Sequence, residues 1–122
     1  MTRSWILGAL AFMTFVLSSA DARADTQIFR VQSNYQYRVQ IEFYSQARDA
    51  AWPGDGMAYE LNDGSVQVYN LDCSYGEQIC YGAWVTGDST EYWGVGYANQ
   101  YSCESCCLVC GKGEGPVFTL EP

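Results

Sequence analysis

Apolar and polar residues alternate along most of this chain. From Gln36 to Tyr44, the side chains of Tyr37, Val39, Ile41 and Phe43 share one face, and Gln36, Arg38, Gln40 and Glu42 share the other. A period of two sustained over that length predicts a strand with one buried and one wet face. A helix would scatter the same residues around its axis. Gln27 to Gln32 alternates in the same way, with Phe29 and Val31 facing inward. Further strands are expected over Met57 to Leu61, Ser65 to Leu71, Ile79 to Thr86, Glu91 to Tyr97 and Val117 to Leu120. In the last of these, Phe118 and Leu120 share the inner face. The apolar parity changes between Val68 and Tyr69, which predicts a bulge or a strand covered on both sides.

Turn formers separate these segments. Ser33-Asn34, the run Trp52-Pro53-Gly54-Asp55-Gly56, and Gly87-Asp88 each break the alternation. Asn62-Asp63-Gly64 has the character of a hairpin turn. The result is about seven short strands with turn signals roughly every 8–12 residues and no convincing helix. The expected fold is all-β: a small disulfide-stabilised β-sandwich or barrel of antiparallel strands, forming one domain over residues 25–122.

The first 24 residues read differently. Met1-Thr2-Arg3 is basic, Trp5 to Leu17 is an uncharged apolar run, and Ser18 to Ala24 is small and polar, ending Ala22-Arg23-Ala24. Those are the three parts of a secretory signal peptide. The apolar run is shorter than the roughly 20 residues that a membrane span needs. Cleavage is expected after Ala24, with Ala20 as the alternative, and no membrane association is expected afterwards.

Removing that segment takes away Arg3, Arg23 and Asp21, leaving four bases against 13 acids, so the charge moves from -8 to -9. Such a surface repels phosphate backbones and argues against nucleic-acid binding. The chain contains no histidine. That removes the commonest general base, the Ser-His-Asp and Cys-His arrangements, and every imidazole metal site.

The six cysteines are Cys73, Cys80, Cys103, Cys106, Cys107 and Cys110. An even set in an exported domain of this size predicts disulfides. A hairpin centred on Gly76-Glu77 could bring Cys73 opposite Cys80, and the clustered four could pair 103 with 106 and 107 with 110, or 103 with 107 and 106 with 110. Bridges from the cluster to Cys73 or Cys80 are equally compatible with the spacing. Reduced, the same cysteines would suit two other chemistries. Four thiolates suit a closed zinc site, but structural zinc hooks are usually far apart in sequence, whereas these are fused. A thiol–disulfide site needs a depressed thiol pKa, and the cluster's surroundings are acidic. No metal or cofactor is expected.

Carboxylates at Asp55, Glu60, Asp63, Asp88 and Glu91 lie in or near loops, and no spacing singles out a glycosidase pair. Neither Asp-Gly turn matches the twelve-residue calcium loop with its closing Glu. Aromatic residues make up 16% of the chain, enough to supply both a core and a contact surface. Trp52, Trp84 and Trp93, with Tyr75, Tyr97 and Tyr101, are candidate ligand contacts, Trp52 first among them because it sits in a turn-rich loop.

Tyr81-Gly82-Ala83-Trp84, followed by Tyr92-Trp93-Gly94-Val95-Gly96 and Cys103-x-x-Cys106-Cys107-x-x-Cys110, resembles a group of short exported proteins of alphaproteobacteria, from about Val31 to Gly111. The resemblance implies a periplasmic or secreted bacterial protein and carries over no catalytic residue. The expected function is therefore a small exported binding or interaction module for a protein or carbohydrate ligand. The alternative is a secreted thiol- or metal-active protein, or a hydrolase, using the Cys103–Cys110 cluster or the loop carboxylates.

Overall fold

The computed structural model describes residues 23–122. The expected signal segment therefore lies outside the described residues, except for Arg23 and Ala24. Among the described residues nine strands run in order: β1 Ala24–Ser33, β2 Val39–Ser45, β3 Ala51–Trp52, β4 Tyr59–Leu61, β5 Val66–Ser74, β6 Gln78–Val85, β7 Asp88–Gly94, β8 Cys107–Val109 and β9 Val117–Leu120. A single 3-10 turn, Tyr97–Asn99, follows β7. The all-β expectation holds.

The strands form two sheets. The smaller has the order β5-β1-β9. In the larger, β2 and β6 pair centrally. Along the free edge of β2 lie β3 and β4, and along the free edge of β6 lie β7 and β8. The chain crosses between sheets before β2, β5, β6 and β9, so consecutive strands are often not hydrogen-bonded partners.

That crossing corrects three expectations. The count is nine strands rather than about seven, because β3 and β8 are two- and three-residue strands that fill sheet edges in stretches that read as loop. The strands are not all antiparallel, since β9 runs parallel to β1 in the register Arg30↔Val117 to Ser33↔Leu120. Sequence neighbours joined by a tight turn must pair antiparallel, but β9 arrives from the other sheet and is free of that constraint. Finally, Asn62-Asp63-Gly64 and Gly76-Glu77 are not hairpin turns, because each carries the chain from one sheet to the other.

The core lies between the sheets. Phe29 and Val31 of β1 face Val39, Ile41 and Phe43 of β2, all fully buried. Each such side chain contributes roughly 1.5–3 kcal/mol on burial. Aromatic rings lock the layers together: the Phe29 and Phe43 centroids are 4.7 Å apart, and those of Tyr81 and Phe118 are 5.1 Å apart. In β5 the inward residues are Gln67, Tyr69, Leu71 and Cys73, while Val66 and Val68 are exposed. Its pairing with β1 is unbroken. The parity change at Val68/Tyr69 is thus two valines facing solvent, and the register shift falls instead at Trp84/Val85, where β6 pairs with β7.

Three disulfides join Cys73 to Cys110, Cys80 to Cys107 and Cys103 to Cys106. The first ties the end of β5 to the residue after β8, sheet to sheet. The second joins directly paired residues of β6 and β8. The third closes a four-residue loop. The Cys73–Cys80 bridge does not form, because Cys73 pairs with Cys110 and Cys80 with Cys107.

Candidate functional site

Alternation places Gln40, Glu42 and Tyr44 of β2 on the outer face of the larger sheet, beside Trp84 and Gly82 of β6 and Tyr92 and Gly94 of β7. That face is not open to solvent throughout. The segment from Val95 to Tyr101 folds back across it as a strap. Glycine permits this: a Cβ on Gly82 would collide with the Gly96 carbonyl, and one on Gly96 would collide with the Tyr101 ring. Gly94 and Gly96 also have φ near +62° and +65°, which favours glycine.

Hydrogen bonds pin the strap. Val95 donates its N–H to the Tyr81 carbonyl at 3.0 Å, and Ala98 donates its N–H to the Tyr44 hydroxyl at 3.1 Å. Gln46 donates its side-chain amide to Asn99 Oδ1 at 3.1 Å. The Tyr97 ring meets Trp84 edge-on at 5.1 Å, and Tyr92 stacks on Tyr101 at 3.9 Å. Tyr92, Tyr97 and Tyr101 remain exposed.

Between β2, the loop after it and the strap lies a cleft of about 410 Å³, lined by Glu42, Tyr44, Arg48, Asp49, Tyr97 and Asn99, among others. Burial pushes the Glu42 carboxyl above its usual pKa, partly offset by the Tyr44 hydroxyl. Among the described residues no Lys or Arg forms an ion pair with it. Burial also drives the Tyr44 phenol far above its ordinary range, with the Glu42 charge adding to the effect, so Tyr44 stays protonated. Arg48 is committed elsewhere. Its Nε and Nη2 donate to the two oxygens of buried Glu77 at 2.8 and 2.9 Å. The cleft therefore offers a half-buried carboxylate with no cationic partner, a neutral phenol, an exposed tyrosine ring and an amide.

A second depression of about 410 Å³ lies at the other end of the strap. Cys80, Cys103 and Cys107 line it. The sulfurs of Cys80, Cys106 and Cys107 lie within 4.8 Å of one another, although all three are in bridges. The four clustered cysteines do not converge as a zinc hook, since the Cys110 sulfur goes to Cys73.

The three tryptophans singled out from sequence are all engaged within the fold. Trp52 lies against the core and donates its indole N–H to the Asp72 carbonyl at 2.9 Å, joining β3 to β5 at one side of the sandwich. Trp93 does the same at the opposite side, donating to the Glu121 carbonyl at 2.6 Å. Trp84 is buried on the outer face, bonded to Gln40 at 3.1 Å and covered by Tyr97. Tyr75 is exposed but flanked by Arg23 and Lys112, with Lys112 Nζ donating to its hydroxyl at 2.9 Å. Tyr97 and Tyr101 are the sequence candidates that reach the strap surface.

Of the loop carboxylates, Asp63 and Asp88 fold onto Ser65 and Thr90, whose donated hydrogen bonds hold both acids below the usual range. Glu91 accepts from the Tyr35 hydroxyl at 2.6 Å. Glu42, Tyr44 and Asn99 were not singled out from sequence. Glu42 reads correctly as the wet face of a strand, but nothing local announces that a distant segment folds over it. The one available signal was the glycine spacing Gly82, Gly94, Gly96 beside large aromatics, which marks close backbone approach.

No protein-family model, curated protein or solved structure matches this chain.

Proposed function

We propose that the protein is an exported binding module, periplasmic or secreted, that takes a carbohydrate in the cleft of Glu42, Tyr97 and Asn99. Three disulfides support the compartment, because such bridges persist only where thiols are not kept reduced. The observation that carries the ligand class is the half-buried Glu42 carboxylate, free of a cationic partner, in one concavity with the exposed Tyr97 ring. A carboxylate and an amide accept and donate to hydroxyl groups, and a tyrosine face covers the apolar side of a sugar ring. The cleft volume of about 410 Å³ falls within the roughly 300–1,000 Å³ of small-ligand sites. The acidic surface turns away phosphate polymers, leaving neutral or cationic saccharides as the favoured class.

The test is retention of the purified oxidised protein on a glycan array, followed by titration calorimetry with the glycans retained. Tyr97→Ala is expected to weaken binding about tenfold, equivalent to about 1.4 kcal/mol. Failure to retain any glycan, or wild-type affinity in Tyr97→Ala, would overturn the reading.

A further inference from the structure

The cysteine cluster supports a second activity, independent of the carbohydrate cleft. The Cys103–Cys106 and Cys80–Cys107 bridges lie side by side, because Cys106 and Cys107 are adjacent in the chain. Their sulfurs are 3.7 Å apart, and Cys80 Sγ lies within 4.8 Å of both. Cys103 and Cys107 are half-exposed and line the second depression together with the buried Cys80, whereas Cys106 is buried and outside that lining. In a chain with 14 acids, that depression is lined by no carboxylate; Gln46, Gln78, Asn99, Gln100 and Ser102 supply amides and a hydroxyl. A thiolate, with whatever polar groups accompany it, meets hydrogen-bond donors there rather than like charge.

We infer that these two bridges form a thiol–disulfide relay set off by a small polar thiol that binds in this depression. The thiolate attacks Cys103 Sγ, the half-exposed end of the bridge whose other end, Cys106, is buried. A bond forms between the incoming sulfur and Cys103, the Cys103–Cys106 bond breaks, and Cys106 leaves as a thiolate. The proton of the incoming thiol goes to solvent. Cys106 then attacks Cys80 Sγ; the Cys80–Cys106 bond forms, the Cys80–Cys107 bond breaks, and Cys107 leaves as a thiolate at the half-exposed position. Attack on Cys107 instead would yield a bridge between adjacent cysteines, which the intervening peptide disfavours. Cys107 finally attacks Cys103 of the mixed disulfide, forming Cys103–Cys107 and releasing the small thiolate, which recovers its proton from solvent. No net oxidation occurs. The relay exchanges one pair of bridges for another, with the thiol as catalyst. Cys73–Cys110 takes no part, because both its residues are buried away from the depression.

The probe is reduced glutathione, added in increasing concentration to the oxidised protein, with acid quenching, alkylation and mapping of bridges by peptide mass spectrometry. The expected result is a glutathione adduct at Cys103 and the appearance of Cys80–Cys106, while Cys73–Cys110 persists. In Cys103→Ser/Cys106→Ser, opening of Cys80–Cys107 is expected to slow at least tenfold. Wild-type protein alone keeps the inference falsifiable should that variant fold poorly. A first adduct at any other cysteine, or opening of Cys80–Cys107 without a Cys80–Cys106 product, overturns the relay, as does an unchanged opening rate in the folded double variant.

Discussion

Gly82 and Gly96 meet backbone to backbone. A methyl group on Gly82 would overlap the Gly96 carbonyl oxygen and press on the Tyr44 ring. The strap from Val95 to Tyr101 can lie on the larger sheet only because that methyl is missing. Gly82→Ala is expected to lift the strap and cost about 2 kcal/mol, the scale of overpacking a close contact. Trp84 then loses the cover of Tyr97, so tryptophan emission shifts to the red. Gly64→Ala is the control, since its nearest atom would be the Ser33 carbonyl oxygen at 3.8 Å. It should change the urea midpoint little. A Gly82→Ala protein with the wild-type midpoint and emission would show that the strap is not seated here.

The sequence made the strands legible and the pairing of several of them not. Alternation is a local property, so parity alone places Phe29, Val31, Val39, Ile41, Phe43, Phe118 and Leu120 in the core, and all are buried, whereas Tyr37, of the same parity, precedes β2 and is exposed. Which sheet a strand joins is set by contacts far apart in sequence, and for that reason β9 appeared as one more antiparallel strand. The same limit applies to the bridges. Cys73 and Cys80 are close in the chain but belong to different sheets, and only the long-range topology sends them to Cys110 and Cys107. For the tryptophans, turn-rich flanks suggested an exposed Trp52, whereas its indole N–H reaches a strand of the other sheet. The cleft was illegible because Glu42 and Tyr97 come from segments that only the fold brings together.

Glu77 is the buried acid of the loop that crosses between sheets. It accepts from Ser45 Oγ at 2.7 Å, from the Ser74 N–H at 2.8 Å and from Arg48 twice. Arg48 first, then the Ser74 and Ser45 donors, hold its pKa at about 2 against an ordinary 4.5. A depressed carboxyl stabilises the fold above its unfolded pKa, and that contribution is lost as pH falls through the folded value. Stability should therefore decline between about pH 4.5 and about pH 2. Glu77→Gln should flatten that part of the pH profile and lower stability at pH 7 by about 2 kcal/mol, the scale of a charge-assisted hydrogen bond. Urea titrations at several pH values measure both. A wild-type slope in Glu77→Gln would assign the acid sensitivity to another group.

The bridges should differ in what they contribute. Cys73–Cys110 spans 37 residues and Cys103–Cys106 spans three. The loop-entropy account gives about 4 kcal/mol for the first and about 2 kcal/mol for the second. Replacing each pair by serine and comparing urea midpoints should reproduce that order, with the Cys73–Cys110 variant the weaker protein. It also loses its covalent tie between sheets, so its near-ultraviolet circular dichroism should fall more than that of the Cys103–Cys106 variant. The reverse order would mean that the short loop holds the strap more firmly than its length implies.

Glu42 sets the final prediction, in which stability and binding move in opposite directions. Burial raises its pKa, so the folded protein holds an ionised carboxylate at a cost. Glu42→Gln relieves that cost and should leave the protein at pH 7 as stable as wild type or slightly more so. Binding should behave otherwise, because an ionised carboxylate accepts hydroxyl hydrogen bonds at both oxygens and a glutamine at one. Ligand hydroxyls favour the charged form, so affinity should be level above the raised pKa and fall as acidification protonates Glu42. That fall should begin at a higher pH than for an ordinary glutamate. Calorimetry across the acidic range, on wild type and Glu42→Gln with a glycan that the array retains, reads the effect. A variant that keeps both wild-type affinity and wild-type pH dependence would place the acceptor elsewhere in the cleft, with Asp49 at its rim as the next residue to replace.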